Sequence, residues 1–153
     1  MVCLGNICRS PMAAAVARAQ VDEAGLGGHV SVESFGTAGY HRGEKADPRA
    51  AAALRRRGMS ADDHRARQIT VRDLEQLDMV LCADRNNLSE LRRLDPLSVG
   101  KIELLRTYDP DSSPGNEEVP DPYYGDDSDF DHALDLIEAA CRGLVERLAL
   151  AGR

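Results

Sequence analysis

The chain has 153 residues and carries 19 Lys and Arg against 26 Asp and Glu, which gives a formal net charge of −7. This length predicts one domain, residues 1–153, large enough to bury a substantial core. The acidic balance argues against nucleic-acid binding, and the lack of a long apolar run or a leader peptide argues against membrane insertion and export, so we expect a cytoplasmic protein without nucleic-acid or membrane partners.

Segments typical of helices and of strands alternate along the chain. The first predicted helix has Ser10 as its N-cap and Pro11 at its first position, and it ends at Ala24 before a glycine-rich turn. Further helices are predicted at 47–57, 70–76, 86–94 and 128–150, and strands at 29–34, 78–83 and 101–105. This alternation predicts an α/β fold with a parallel sheet.

One irregular segment, residues 107–127, is rich in proline and separates the last predicted strand from the last helix. Between Asp109 and Asp131 the chain has nine acidic residues and no Lys or Arg. A loop of this length inside a compact domain is usually functional, although most of its charges are expected to form a solvated surface.

The N-terminal segment from Cys3 to Ser10 contains the residues most suggestive of chemistry. A cysteine ends a short apolar start, a loop with Gly and Asn follows, and a helix begins directly after it. Such a loop aims backbone N–H groups and a helix N-terminus at one point, which suits a phosphate-sized anion and a cysteine thiolate. Arg9 can donate two N–H groups to phosphate oxygens, and Ser10 can donate its hydroxyl to the sulfur. The Cys-x5-Arg spacing alone is a weak signal, and a merely buried cysteine is the alternative; the strand–loop–helix context favours the anion site.

Residues 3–11, CLGNICRSP, resemble the phosphate-binding loop of the low-molecular-weight protein tyrosine phosphatases. Five other segments match that family in order, at 34–37, 64–70, 81–87, 101–105 and 108–110, and the sequence DPYYG at 121–125 resembles its general-acid loop. The resemblance covers nearly the whole chain. It implies a single domain with a central four-stranded parallel sheet and helices on both faces.

The resemblance also implies the roles of three residues. Cys3 would be the nucleophile that takes the phosphoryl group, Arg9 would bind the phosphate and its transition state, and Asp121 would protonate the leaving oxygen and then activate water. The implied substrates are phosphotyrosine proteins or small aryl phosphates, inorganic phosphate is the product, and no cofactor or metal is expected. This division suits phosphoryl transfer, which needs positioned positive charge and a protonated leaving group.

By the same resemblance, a supporting shell and an aromatic cleft surround the loop. Asn6 would shape the loop through a left-handed backbone, with Ser34 and His64 hydrogen-bonded to it. The remaining implied residues of the loop and cleft are Leu4, Gly5, Ile7, Cys8, Tyr40, Tyr123 and Tyr124. Aromatic walls favour an aryl phosphate.

The four cysteines are too few for a disulfide framework, so we expect reduced thiols. Peroxide attacks a reactive thiolate first, which would give a sulfenic acid at Cys3. Cys8, five positions on in the same loop, could condense with it to a disulfide, an expectation that the family resemblance supports. The alternative is that Cys8 is an apolar filler under the loop.

Two features depart from the family pattern. Only Met1 and Val2 precede Cys3, so the first strand is expected to be unusually short and its neighbours partly unpaired. Phe35 stands where the family usually has alanine, which predicts local repacking.

Three other functions fit parts of the sequence. An arsenate reductase shares the Cys-x5-Arg loop, but the position seven after Cys82 is Ser89 and the DPYYG loop is intact. A catalytically silent phosphotyrosine-binding module is a second alternative, although the nucleophile, arginine and acid are all present. A metal-dependent phosphatase is disfavoured because no cluster of His and Asp ligands is visible in the sequence.

Overall fold

Four short strands form one parallel sheet in the computed structural model, which describes residues 1–152. The strands are β1 (Val2–Cys3), β2 (Phe35–Gly36), β3 (Val80–Cys82) and β4 (Ile102–Leu104), in the spatial order β2-β1-β3-β4. Val2 pairs with Phe35 on one side and with Cys82 on the other. The four-stranded parallel sheet expected from the sequence is confirmed, and its central strand has two residues.

Five α-helices connect and cover the strands. They are α1 (Arg9–Glu23), α2 (Pro48–Arg56), α3 (Val71–Gln76), α4 (Arg85–Leu94) and α5 (Asp127–Ala151), with 3₁₀ helices at Pro96–Lys101 and Leu105–Tyr108. Helices α2 to α5 each have a polar N-cap residue whose side chain accepts a hydrogen bond from a backbone N–H of the first turn. The N-cap residues, in helix order, are Asp47, Thr70, Asp84 and Asp126. All five predicted helices are confirmed to within two residues. None of the helices in residues 1–152 is both long and apolar enough to cross a membrane.

Successive side chains along each strand point to opposite faces of the sheet, so the core has two layers. Cys3 and Leu81 face the layer built with α1, α2 and α5, where Phe130 and Ile137 of α5 are fully buried. The opposite face of the sheet packs on α3 and α4 through a second cluster of buried side chains: Val2, Phe35, Ile69, Leu74, Val80, Cys82, Leu91, Ile102 and Leu104. Helices therefore cover both faces of the sheet, as expected.

The strand predicted at 29–34 is wrong. The N–H groups of His29 and Val30 both donate to the carbonyl of Leu26 at 2.9 Å, so the chain there continues the turn that ends α1. Backbone pairing with the first strand begins at the end of this segment, where Met1 N donates to Glu33 O at 2.8 Å and Phe35 N donates to Met1 O at 2.9 Å. The alternation of Val with polar residues marks a half-buried segment here, but a strand also needs a paired neighbour.

The predicted start of the first helix is also wrong, by two residues. The helix begins at Arg9 with Cys8 as its N-cap, and no side chain caps it. Pro11 therefore lies third in the helix, where its missing N–H costs nothing because the first-turn N–H groups have no helical partner. The Ser10 hydroxyl faces the loop instead.

Phe35 is accommodated by burial and by a cation. Its side chain is 3% exposed in the second core layer, and the guanidinium of Arg67 lies 4.1 Å from its ring centroid. The contact is a cation–π interaction at the edge of the sheet, and it stabilises both the ring and the guanidinium.

Candidate active site

The loop of residues 4–8 leaves the carboxyl end of β1 and leads directly into α1. β1 lies between β2 and β3, so the next strand of the chain lies on one side of β1 and the strand after that lies on the other side. In open α/β sheets ligands bind outside the carboxyl ends of the strands at such a position. The N-terminus of a fifteen-residue helix adds N–H groups and a positive dipole end there.

Cys3 sits at the base of this loop beside a hydroxyl. Its Sγ lies 3.0 Å from Ser10 Oγ, and Asn6 Nδ2 donates to the same Oγ at 2.7 Å. Because Ser10 Oγ already accepts from Asn6, its own proton is available to the sulfur.

Asn6 organises the loop from within. It is fully buried and is the one non-glycine residue among residues 1–152 with a positive φ, 59°. Its Nδ2 also donates to Ser34 Oγ at 3.0 Å, and its Oδ1 accepts Arg67 N at 2.9 Å. His64 Nε2 lies 2.6 Å from Asn6 O, so that nitrogen carries the proton. The hydrogen bonds expected from Asn6 to Ser34 and His64 are both present.

His64 is held in its neutral form. Burial lowers the pKa of its imidazole, and the nearby guanidinium groups act in the same direction, against the hydrogen bond to Asn6 O. A neutral ring with Nε2–H donates one hydrogen bond to the loop without adding a charge behind it.

Arg9 is buried, and the fixed position of its guanidinium follows from two acceptors. NH1 donates to Asp84 Oδ2 at 2.8 Å and to Val119 O at 2.9 Å. NH2 lies 3.6 Å from Asp121 Oδ2 at the cleft. Asp84 was not predicted from the sequence; it lies two residues after the end of β3, at the carboxyl edge of the sheet where ligands of such folds bind.

A cleft of about 320 Å³ opens above the loop. It is lined by Cys3, Leu4, Gly5, Ile7, Cys8, Arg9, Tyr40, His41, Asp121, Tyr123 and Tyr124. The structure thus brings together the three residues expected to do chemistry and all three tyrosines expected at its walls. The four other expected residues, Asn6, Ser10, Ser34 and His64, support the loop without lining the cleft.

His41 lines the cleft but was not among the predicted residues. Its Nδ1 lies 2.5 Å from Glu44 Oε2, and its ring centroid is 6.4 Å from that of Tyr123. Its position beside Tyr40 was the available indication.

The cysteines differ sharply in their surroundings. All four are free thiols. Burial raises the pKa of the Cys8 thiol, and it raises the pKa of Cys82 and of Cys141 to about 12 each within the core. Cys3 differs from them in having the hydroxyl of Ser10 directed at its sulfur. Within residues 1–152, no three side chains of His, Cys, Asp or Glu are placed to hold one metal ion.

The fold and the site together define a class of protein: an α/β domain with a cysteine, an arginine and a carboxyl group around one cleft at the carboxyl edge of its parallel sheet. A family model described as low molecular weight phosphotyrosine protein phosphatase matches residues 1–152. The chain belongs to this family, as its sequence motifs predicted. It is a protein-tyrosine phosphatase, and hydrolysis through a cysteinyl-phosphate intermediate is typical of the family.

Relatives and solved structures agree with this assignment. A low molecular weight protein-tyrosine-phosphatase of Streptomyces coelicolor is 49% identical over 146 residues, covering 94% of this chain and 88% of the relative. Low molecular weight protein-tyrosine phosphatase A of Mycobacterium tuberculosis is 44% identical over 155 residues, with 99% and 93% covered. The crystal structure of a protein tyrosine phosphatase from Entamoeba histolytica superposes with a TM-score of 0.92 at 33% identity, covering 99% of this chain and 96% of that one.

Proposed function

We propose that Cys3 is the nucleophile, Arg9 the phosphate-binding residue and Asp121 the general acid of this phosphatase. One observation carries the proposal: all three line one cleft, with Asp121 Oδ2 3.6 Å from the Arg9 guanidinium and the hydroxyl of Ser10 3.0 Å from the Cys3 sulfur. Nucleophile, electrophilic support and proton donor are the parts that phosphoryl transfer to a thiolate requires.

In the first step the phosphate group binds in the loop, where backbone N–H groups and Arg9 neutralise its oxygens. The Cys3 thiolate attacks phosphorus, the S–P bond forms and the bond from phosphorus to the aryl oxygen breaks. Asp121 gives its proton to that oxygen, so the leaving group departs as a neutral phenol. Arg9 bears the charge that develops on the phosphoryl oxygens.

In the second step the Asp121 carboxylate accepts a proton from water as the water oxygen attacks phosphorus. The S–P bond breaks, inorganic phosphate forms and Cys3 leaves as a thiolate. The hydroxyl of Ser10 stabilises that sulfur, and Asp121 ends the cycle protonated, ready for the next ester.

The proposed substrates are phosphotyrosine-containing proteins and small aryl phosphates. Tyr40 and Tyr124 are 75% and 95% exposed at the rim of the cleft, whereas Cys3 is 3% exposed at its base. A deep nucleophile favours a long aryl ester, whose ring the rim tyrosines can contact. Four free thiols also fit a reducing compartment, which supports the cytoplasm as the place of action.

Replacing the nucleophile tests this function. Cys3→Ser should abolish turnover of phosphotyrosine, because a neutral hydroxyl cannot replace a thiolate, while inorganic phosphate still binds. Rapid quenching of the wild-type enzyme with labelled phenyl phosphate should trap one phosphate on the peptide that contains Cys3.

Three results would contradict the proposal. They are turnover that survives in Cys3→Ser, a label on another residue, and wild-type protein that binds aryl phosphate without hydrolysing it, as a silent binding module would. Arsenate with thioredoxin, tested beside the aryl phosphates, separates the arsenate reductase: thioredoxin oxidation without ester hydrolysis would favour that enzyme.

A further inference from the structure

Arg49, in the first turn of α2, contacts the loop that contains the proposed general acid. Its NH2 donates to Tyr123 O at 2.9 Å and its NH1 to Gly125 O at 3.1 Å. Within residues 1–152, these are the only hydrogen bonds between the backbone of residues 121–125 and the rest of the chain. The loop is otherwise held by the ion pair of Asp121 with Arg9.

The guanidinium of Arg49 is itself fixed on several sides. The Asp47 carboxylate accepts from Arg49 Nε at 3.1 Å and from NH2 at 2.9 Å, a bidentate pair. The ring centroids of Phe130 and Tyr123 lie 4.6 Å and 5.6 Å from its Cζ. Phe130 lies in the first turn of α5 and is fully buried, so one of the two rings beside the guanidinium belongs to the core.

Asp47 connects the same residue to the phosphate-binding loop. Its backbone N donates to Ile7 O at 2.8 Å, and its carboxylate holds Arg49. A short path of hydrogen bonds thus runs from Ile7 through Asp47 and Arg49 to Tyr123. Tyr123 N then donates to Asp121 Oδ1 at 3.1 Å.

From these contacts we propose that Arg49 is a positioning residue that fixes Asp121 relative to Cys3. It acts by holding the backbone of 121–125 against α2, and it does not contact the phosphate. The inference rests on the proposed role of Asp121 as general acid. We call the hydrogen bonds from Arg49 to the backbone of 121–125 the clamp. Because misplacing a catalytic group by about 1 Å can cost ~10²-fold in rate, loss of the clamp should slow proton donation in particular.

The test uses two esters that differ in their need for a proton. Phenyl phosphate leaves as a group with a pKa of about 10 and needs the acid, whereas 2,4-dinitrophenyl phosphate leaves without protonation. Arg49→Met should lower kcat/KM, which reports the steps up to phosphate transfer to Cys3, roughly 10- to 100-fold for phenyl phosphate and change it little for the dinitrophenyl ester. Arg49→Lys keeps the charge but not the two-pronged guanidinium, and it should show a smaller loss that is again greater for phenyl phosphate than for the dinitrophenyl ester. This variant replaces Arg49→Met in the test if the Met variant does not fold.

A second mutation separates positioning from general destabilisation. In an Asp121→Asn background, Arg49→Met should cause no further loss on phenyl phosphate, because the group that it positions is gone. Arg56→Met is the matched control: Arg56 joins α2 to α5 through Asp131 at 3.0 Å and does not contact the acid loop. This control should leave kcat/KM unchanged for both esters, and the inhibition constant of inorganic phosphate should be the same in all Arg49 variants.

Equal losses on the two esters, no loss on either, or additive losses in the double variant would each overturn the clamp. Failure of the proposed function looks different. If Asp121→Asn by itself lowers kcat/KM equally for both esters, Asp121 is not the general acid, and the role of Arg49 as its positioner is rejected with it.

Discussion

At the scale of single residues, Asp121 is held from two directions while its carboxyl group stays open to the cleft. Arg9 lies 3.6 Å from one carboxylate oxygen, and Tyr123 N donates to the other at 3.1 Å. The side chain is 45% exposed, so a leaving-group oxygen can reach it. These contacts fit a group that gives up a proton beside a bound phosphate.

Asp121→Ala should therefore slow phosphotyrosine hydrolysis by roughly 10²- to 10⁴-fold, the usual contribution of a general acid. An activated nitrophenyl phosphate, which needs little protonation, should lose much less. The kcat/KM values for the two esters measure the difference, because they exclude the shared second step in which Asp121 accepts a proton from water. Equal losses would assign Asp121 to structure or binding.

Cys8 bears on the response of the enzyme to oxidants. It is buried in the loop that also holds Cys3, both line the cleft, and burial raises the pKa of its thiol. Peroxide should convert Cys3 to a sulfenic acid, which condenses with the Cys8 thiol to give a disulfide and water.

Mild peroxide should then inactivate the enzyme, and a thiol reductant should restore it, whereas Cys8→Ser should recover less completely because sulfinic acid accumulates at Cys3. Peptide mapping and recovered activity provide the measurement. Cys141→Ser is the control, since this thiol is fully buried between α1 and α5. Full recovery of Cys8→Ser and no Cys3–Cys8 link would show that Cys8 only fills space.

Which site residues the sequence could predict depends on how local their signals are. Cys3 and Arg9 lie in one contiguous motif, and Asp121 lies in a second. Asp84 and Arg49 escaped because nothing in their spacing distinguishes them from the other charged residues of an acidic, arginine-rich chain. Their importance comes from partners far away in sequence, which only the fold brings near.

At the scale of elements, the long helix α5 is fitted closely against the 3₁₀ helix Leu105–Tyr108. A Cβ added at Gly143 would overlap the carbonyl oxygen of Tyr108, a backbone atom that cannot rotate away. The absence of a side chain there is what allows the two elements to approach so closely.

Gly143→Ala should accordingly destabilise the protein by about 2 kcal/mol, even though alanine favours a helix over glycine by about 1 kcal/mol. Urea unfolding measures the change. Gly28→Ala, where an added Cβ has no heavy atom within 4 Å, should change the free energy of unfolding by less than about 0.5 kcal/mol. A neutral or stabilising Gly143→Ala would show that α5 can shift without cost.

Helices were predictable because their signals are local: caps at Asp47 and Thr70 and the apolar periodicity of α5 depend on nearby residues alone. The strand expected at 29–34 failed because alternation reports which side chains are half-buried, not whether another strand lies alongside. The buried run at 78–83 succeeded because β3 has neighbours on both sides.

At the scale of the whole molecule, the half-buried His64 links stability to pH. Burial lowers the pKa of His64 in the folded state below the 6.5 of a free imidazole. Well above pH 6.5 the ring is neutral in both states. As the pH falls below this value the unfolded chain takes up a proton first, so the free energy of unfolding decreases until the pH reaches the folded pKa.

His64→Gln, whose amide can still donate to Asn6 O, should lose this pH-dependent part of the free energy of unfolding. Urea unfolding at pH 7.5 and at pH 5.5 should show a smaller drop in the variant than in the wild type, whatever the absolute stability of each. His29→Gln, at an exposed histidine, controls for the removal of one imidazole. Identical drops in the wild type and His64→Gln would remove His64 from the pH dependence.

The strand order β2-β1-β3-β4 also fixes when the enzyme becomes competent during biosynthesis. β1 is made first but lies in the middle of the sheet, and its neighbour β3 emerges from the ribosome only after half of the chain. The clamp on the acid loop needs Phe130 as well, so the site closes only when α5 has formed. Pairings between segments so distant in the chain are slow to form. We therefore expect catalysis to recover after dilution from urea in the last step of folding rather than in the first.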